Sequence, residues 1–376
     1  MKSIGFYCDT NSVEKNALEQ LRQYAERPNL ERINAYPDIH YCQEKALPVG
    51  VAFETTGYCY PLITGKDIGC GVMYLRISKE DWLKPFSKEN HYRAFDFAHQ
   101  RMTDEGLGGG NHFLSIEEDK THVYILCHTG TRNRGIALYQ DCVELTRTFS
   151  YEQGRELDYI PVSYLSEEFR EYYQSVLEYG YQRRKAFCIK TLIFLQQAGY
   201  VRCRKEGISA TYLQADFRQL PEYGELHGTS YQLEDSIHNH IRFERDKILH
   251  RKGSTEIQAG KTVVIPLSMS RGSLLVKAED SPALADALYS CSHGAGRKLS
   301  RFNAMKYWRT TLKEKQRKAY REQFSELLNR SGEFPSGYIQ EFDFAYKDSE
   351  DMLAQQPYLK LVTKTSPVAT VKYSEI

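Results

Sequence analysis

The sequence predicts an α+β fold, and three observations carry that prediction. Apolar runs of strand length recur along the chain, each bracketed by Gly, Pro or Thr. Between them lie stretches whose apolar residues repeat at helical spacing. No internal repeat, low-complexity tract or Ser/Pro-rich linker divides the chain. A single domain over residues 1–376 follows, with mixed or antiparallel sheets flanked by helices and a helical insertion around 163–215.

The elements follow in order. Ile4 to Tyr7 reads as a strand, and a helix follows with Val13, Ala17, Leu18, Leu21, Tyr24 and Ala25 on one face and Ser12 as its cap. From Tyr36 to Ile77 the pattern is short and β-like, with Val49–Phe53 and Gly71–Ile77 as strands. Val123–Cys127 has the length of a buried strand, ending at His128 before the turn Thr129-Gly130-Thr131. The longest helical pattern runs from Glu167 to Ala198. Ser166 caps it, two glutamates occupy its first turn, Gly199 stops it and Gly180 is able to divide it. Val263–Ile265 and Leu274–Val276 return to strand, Arg309 to Asn329 reads as a basic surface helix, a short helix follows Ser349, and Val368 to Tyr373 closes a sheet.

Composition narrows the function. The 376 residues carry 50 Lys plus Arg against 49 Asp plus Glu, a net charge of +1, which excludes a generic polycationic nucleic-acid binder but not a locally basic groove. No apolar run reaches the roughly 18–20 residues that span a bilayer, and Met1 to Phe6 lacks a signal-peptide core, so the cytoplasm is the expected compartment. Nine scattered cysteines, odd in number and without a CxxC pair, suggest neither a zinc ribbon nor a disulfide framework.

Two nucleotide signatures are absent. Ala259-Gly260-Lys261-Thr262 resembles the tail of a Walker A loop, but Thr255 stands where its first glycine belongs; Gly106 to Asn111 misses GxGxxG at its last position. What remains is a set of polar residues planted in glycine-rich segments: Asp67 and Cys70, His112 after three glycines, His128 with Arg132, the pair His238 and His240, and His293 with Arg297. Thiolate, carboxylate and imidazole together suit Mn, Fe, Co or Zn. Each alone equally describes a buried thiol or a hydrogen-bonded histidine, and His91, His99 and His227 are left to that description. Arg132 and Arg297, each four residues after such a histidine, suit phosphate of an RNA backbone or a nucleotide, whereas Arg242 to Lys247 reads as a solvated face.

In order, DIGCGV (67–72), GGGNHF (108–113), HTGTR (128–132), HN (238–239), RKG (251–253) and SCSHGAGR (290–297) resemble the RtcB family of RNA ligases, with Pro37-Asp38-Ile39-His40 and Ala345-Tyr346-Lys347-Asp348 as further echoes. The resemblance implies a short RtcB-like member with a central metal cleft. It would use GTP and two Mn(II) ions to join an RNA 3′-phosphate or 2′,3′-cyclic phosphate to a 5′-hydroxyl. It further implies His293 as the guanylylated nucleophile, Asp67, Cys70 and His112 at one metal, and the shared Cys70 with His128 and His238 at the other. Asn111, Ser268, Ser273, Gly294, Ala295, Gly296, Tyr346 and Lys372 would hold the nucleotide, and Arg132, Lys252 and Arg297 phosphate or RNA. RNA repair of cut tRNA or rRNA, with a repair or ribosome-rescue partner protein, is the implied setting.

Three departures from the family pattern stand out. Ser115 occupies a position usually acidic, Pro266-Leu267-Ser268-Met269-Ser270 replaces PGSMG, and His240 stands where an aromatic is common, leaving open which of His238 and His240 ligates. The rival functions are a metal-dependent 2′,3′-cyclic phosphodiesterase that opens RNA ends without ligation, and a non-catalytic RNA-binding protein.

Overall fold

The computed structural model describes residues 3–42, 47–86, 106–204, 217–244, 247–328 and 331–372. The first half of the chain supplies β1 (Ser3–Phe6), α1 (Lys15–Ala25), β2 (Leu30–His40), β3 (Val49–Thr56), β4 (Tyr58–Cys59), β5 (Gly71–Ser78), β6 (Phe113–Glu118), β7 (His122–Thr129), α2 (Asn133–Glu152), β8 (Ile160–Pro161) and α3 (Glu167–Gln197). Then come β9 (Tyr223–Leu226), β10 (Thr229–Ile237), β11 (Asn239–Glu244), β12 (Lys247–Lys252), β13 (Ser254–Glu256), β14 (Thr262–Ser268), β15 (Gly272–Ala278), α4 (Pro282–Asp286) and β16 (Ser290–Ser292). The last part holds α5 (Arg301–Thr310), α6 (Glu314–Gln323), α7 (Ser336–Ile339), α8 (Ser349–Ala354), β17 (Leu359–Lys364) and β18 (Ser366–Lys372).

Strand alternation builds the centre. On β5, Met73, Leu75 and Ile77 face one way and Val72 and Tyr74 the other. The first set meets Leu114 and Ile116 of β6, Ile125 and Cys127 of β7, and the apolar face of α3 through Phe187, Leu192 and Ile193. The second set meets Tyr124 and Leu126 of β7 and, across the layer, Val264 of β14 and Leu275 of β15. Helix, six-stranded sheet (β18-β6-β7-β5-β10-β9) and three-stranded sheet (β14-β15-β17) therefore stack in that order. A five-stranded sheet (β1-β2-β3-β12-β11) carries its own core under Ala17, Leu21 and Tyr24 of α1. Its β1–β2 pair is parallel and its other pairs antiparallel, giving the mixed α+β architecture expected.

Several local readings shift. Ser12 lies in a short 3₁₀ turn capped by Asp9, and Glu14 precedes α1 without a side-chain cap. Ser166 does cap α3, its hydroxyl accepting from Phe169 N. Gly180 does not divide that helix; it is a packing glycine, since a Cβ there would sit 2.8 Å from Thr131 Cγ2. β7 runs on through Thr129, which the sequence assigned to a turn. The basic stretch from 309 splits, because α5 ends at Thr310 and α6 opens only at Glu314. α3, within the stretch expected as a helical insertion, forms a layer of the main core. His91, His99, Arg245 and residues 205–215 lie outside the described residues.

Candidate active site

Register brings the chemistry together. Val72 of β5 and Phe113 of β6 both pair with His128 on β7, and Gly71 of β5 pairs with Ile237 of β10. The residue just before β5, the residue just before β6, His128 near the end of β7 and the residue just after β10 are therefore neighbours. They are Cys70, His112, His128 and His238. Cys70 Sγ lies 3.3 Å from both His112 Nε2 and His128 Nε2, and His128 Nε2 lies 3.4 Å from His238 Nε2. Asp67, half exposed, is 3.9 Å from His112 Nε2. Two ligand groups result, Asp67-Cys70-His112 and Cys70-His128-His238, with the thiol common to both.

The donor set fits divalent transition ions. Burial, with Arg132 adding like-charge repulsion, pulls His112 down to about 3, and burial first of all carries His128 and His238 well below the ordinary range. All three rings are thus neutral, the form that ligates. His128 Nδ1 faces Asn111 O at 3.0 Å, which places its proton there and leaves Nε2 bare toward the cluster. Burial and then Asp67 push the Cys70 thiol up, a cost that a bound cation reverses by taking the thiolate.

Supports for these loops escaped the sequence reading. The Arg184 guanidinium on α3 donates to Gly69 O at 2.9 Å and Thr129 O at 3.0 Å, and pairs with Asp235 through two 2.6 Å bonds. Arg183 donates to Gly130 O and Gly106 O, and Asn239 Nδ2 to Thr64 O and Asp67 O. One helix thus fastens the ends of three ligand-bearing loops. Nothing in residue spacing separates these cations from surface charge.

His293 follows β16 and stands beside the cluster, its ring centroid 5.0 Å from that of His238. Its Nδ1 is 2.5 Å from Oδ2 of the buried Asp38, and the same oxygen accepts from the backbone N–H of His293 and Gly294. Burial works to lower the His293 pKa, but the Asp38 carboxylate outweighs it and the net shift is upward. Asp38, visible in the sequence only as part of the Pro37–His40 echo, stands behind Nδ1 and fixes the ring.

A cavity of about 420 Å³ opens from His293 between the six- and three-stranded sheets. Asn111, Ser268, Gly294, Ala295, Gly296, Tyr346 and Lys372 all line it. Ser273 does not: it is fully buried behind the wall, its hydroxyl donating to Glu117 Oε1 at 3.2 Å. Lys252 turns away as well, its ammonium donating to Leu47 O at 2.6 Å in the interior.

Arg297 lines the cavity, and three of its five N–H donors are engaged within the protein. It reaches Leu299 O, Gln340 O and Tyr346 Oη at 3.0, 2.6 and 3.0 Å, and its Nη1 is 3.6 Å from Glu341. It braces the Tyr346–Glu341–Lys372 cluster rather than standing ready as a phosphate fork. Arg132 packs over Gly108 beside His112, and its Nε has no hydrogen-bond partner among the described residues. His240 pairs with Glu256 at 2.8 Å and lies outside both ligand groups, which include His238.

Charge at the mouth is uneven. Residues 297–323 hold ten Lys and Arg against two Glu, in a chain whose net charge is only +1. Lys298, Arg301, Lys306, Lys315 and Lys318 are exposed, Phe302 is 78% exposed, and Lys298 and Arg301 line the cavity.

A buried thiol–imidazole cluster edged by the half-exposed Asp67, with a carboxylate-held histidine and a cavity of about 420 Å³ beside it, is compatible with a metal-dependent enzyme. A family model described as tRNA-splicing ligase RtcB matches residues 87–373, and the chain belongs to this family. It is 26% identical to the RNA-splicing ligase RtcB2 of an Escherichia coli strain, over 96% of this chain and 93% of that protein. It is 24% identical to the RNA-splicing ligase RtcB of Escherichia coli K12, over 94% and 93%. With the tRNA-splicing ligase RtcB of Nanoarchaeum equitans it shares 25% identity, over 73% of this chain and 61% of the other. No helix among the described residues is long and apolar enough to cross a membrane.

Proposed function

We propose that the protein is an RNA ligase that uses GTP and two Mn(II) ions to join a 3′-phosphate or 2′,3′-cyclic phosphate to a 5′-hydroxyl. The observation that carries this reading is the position of His293, with Asp38 behind its Nδ1 and its ring both beside His238 and lining the cavity. Asp67, Cys70 and His112 would hold one ion, and Cys70, His128 and His238 the other. The ions supply charge neutralisation on phosphate and a lowered pKa for a bound hydroxyl.

His293 Nε2 forms a bond to the GTP α-phosphorus as pyrophosphate leaves, so that one difficult exchange becomes two easier ones. An oxygen of the RNA 3′-phosphate then takes the GMP and frees the imidazole. The RNA 5′-hydroxyl attacks the activated 3′-phosphorus, expels GMP and gives up its proton; a cyclic end is first opened by water. Asp38 keeps the ring aligned through these steps, and Arg132 faces the phosphates beside His112. The basic lobe at 297–323 marks the side from which the RNA approaches, since phosphate is drawn to clustered Lys and Arg. RNA repair in the cytoplasm is the setting this chemistry suits.

A cyclic phosphodiesterase would need the metal ligands but neither the nucleotide-sized cavity nor the His293–Asp38 pair. One experiment separates the two activities. RNA fragments ending in 2′,3′-cyclic phosphate and 5′-hydroxyl are incubated with protein, Mn(II) and GTP and resolved on a denaturing gel. A joined product that requires GTP and His293 supports the ligase; ring opening without joining, unaffected by His293→Ala, overturns it.

A further inference from the structure

Helix α5 divides its apolar residues between two surroundings. Ala304 and Trp308 are buried, and Met305 and Tyr307 pack beside them in the cluster that holds Phe334 and Phe342. Phe302 stands outside that cluster and is 78% exposed. A lone apolar residue at the surface needs no explanation. The company of this one does.

Spacings of four and three residues put Phe302, Lys306 and Arg309 on one exposed face of α5. Just before them in the chain, Lys298 and Arg301 are exposed and line the cavity that His293 shares. Within 297–323 the acids are Glu314 and Glu322, and α6 takes both: Arg317 and Arg321 pair with Glu314, and Lys318 stands 3.8 Å from Glu322. The positive charge around Phe302 therefore has no acid partner within its own segment, and the ring stands bare among those cations.

We propose that Phe302 is a stacking platform for an unpaired base of the RNA, a few nucleotides from the end that reacts. The role rests on the ligase reading above and names the form in which the RNA arrives. Clustered cations follow the phosphates of a strand, and an exposed ring among them offers its face to a base. The contact tolerates any sequence, because every base has a π-face. A duplex keeps its bases stacked on one another and has none to offer, so the platform selects breaks whose ends are single-stranded. An apolar pocket on a protein would also accept a phenylalanine, but the surrounding cations favour a polyanion.

The test uses two RNA strands, one ending in 3′-phosphate and one beginning with 5′-hydroxyl, with Mn(II)-loaded protein and no GTP. A single abasic nucleotide is moved through the roughly four positions nearest each end, and binding is read by fluorescence anisotropy. In wild type, loss of one base should weaken binding about 5- to 150-fold, and the strand that responds identifies which end is held. Phe302→Ala should bind the intact strand as weakly as wild type binds the abasic one, with no further loss when ring and base are both removed. Its slope of log affinity against log salt should not change, because stacking releases no counterion. Phe302→Tyr should restore the affinity, and thermal melting confirms that the variants fold. If no abasic position weakens wild-type binding by more than about twofold, the proposal is overturned even where a variant misfolds. Unchanged RNA affinity in folded Phe302→Ala overturns it as well and leaves the ring to a protein partner. Covalent labelling of the wild type by α-labelled GTP is run in parallel. A base-dependent contact without labelling keeps the platform and removes the ligase reading; labelling without that contact does the reverse.

Discussion

Cys70 is the only side chain common to both ligand groups, and it owes that place to a turn. Gly69 adopts φ +76°, open to glycine at little cost, and a Cβ there would lie 2.7 Å from Thr131 Cγ2. Cys70→Ala should therefore reduce bound Mn(II) from two ions to one or fewer per chain, read by elemental analysis after desalting; wild-type content would remove the bridging role. Asp38→Asn keeps the shape but takes away the charge facing His293 Nδ1, and should slow nucleotide transfer to the histidine by about 10²- to 10⁴-fold with GTP affinity nearly unchanged. Equal rates in rapid-quench measurements would show that Asp38 is merely structural.

Asp67, Cys70, His112 and His128 were legible at this scale because each stands in a short motif with glycine close by, and His238 only through the His238-Asn239 pair. Asp38 and Glu341 were not, since an isolated acid carries no signal of what its backbone will bring beside it.

At the scale of elements, α3 does more than cover a sheet. Its inner face packs the core, and its Arg183, Arg184 and Gly180 meet the loops that carry the ligands. Glycine inside a helix ordinarily costs about 1 kcal/mol relative to alanine. Here the sign should reverse, because an added Cβ would lie 2.8 Å from Thr131 Cγ2 and 3.1 Å from Gly69 O, while Thr131 is tied to Ile68 O at 2.5 Å. Gly180→Ala should destabilise the protein by roughly 1–3 kcal/mol in urea unfolding; a gain in stability would contradict this packing.

The α5–α6 lobe tests the approach of RNA. The double charge reversal Lys315→Glu with Lys318→Glu should weaken RNA binding and reduce the slope of log affinity against log salt by about 1–2. The rate of His293 guanylylation should not change. An unaltered salt slope would place the RNA elsewhere.

For the whole molecule, the mixed sheets and the long capped helix were readable because alternation, helical spacing and the Ser166 cap are local signals. The stacking of sheets was not readable, because it depends on pairings between strands more than a hundred residues apart, such as Gly71 with Ile237. For the same reason Ser273, Lys252 and Arg297, singled out by motif, occupy places that the chain's long-range contacts decide. The near-zero net charge is likewise an average over a basic lobe and an acidic remainder, and so carries little information about the partner.

The central claim is that His293 becomes covalently bound to GMP before RNA is touched. Purified protein is incubated with Mn(II) and GTP labelled at the α-phosphate, without RNA, and the adduct is located by mass spectrometry. An acid-labile GMP on His293 is expected, absent from His293→Ala and without Mn(II). No adduct, or undiminished label in His293→Ala, would contradict it.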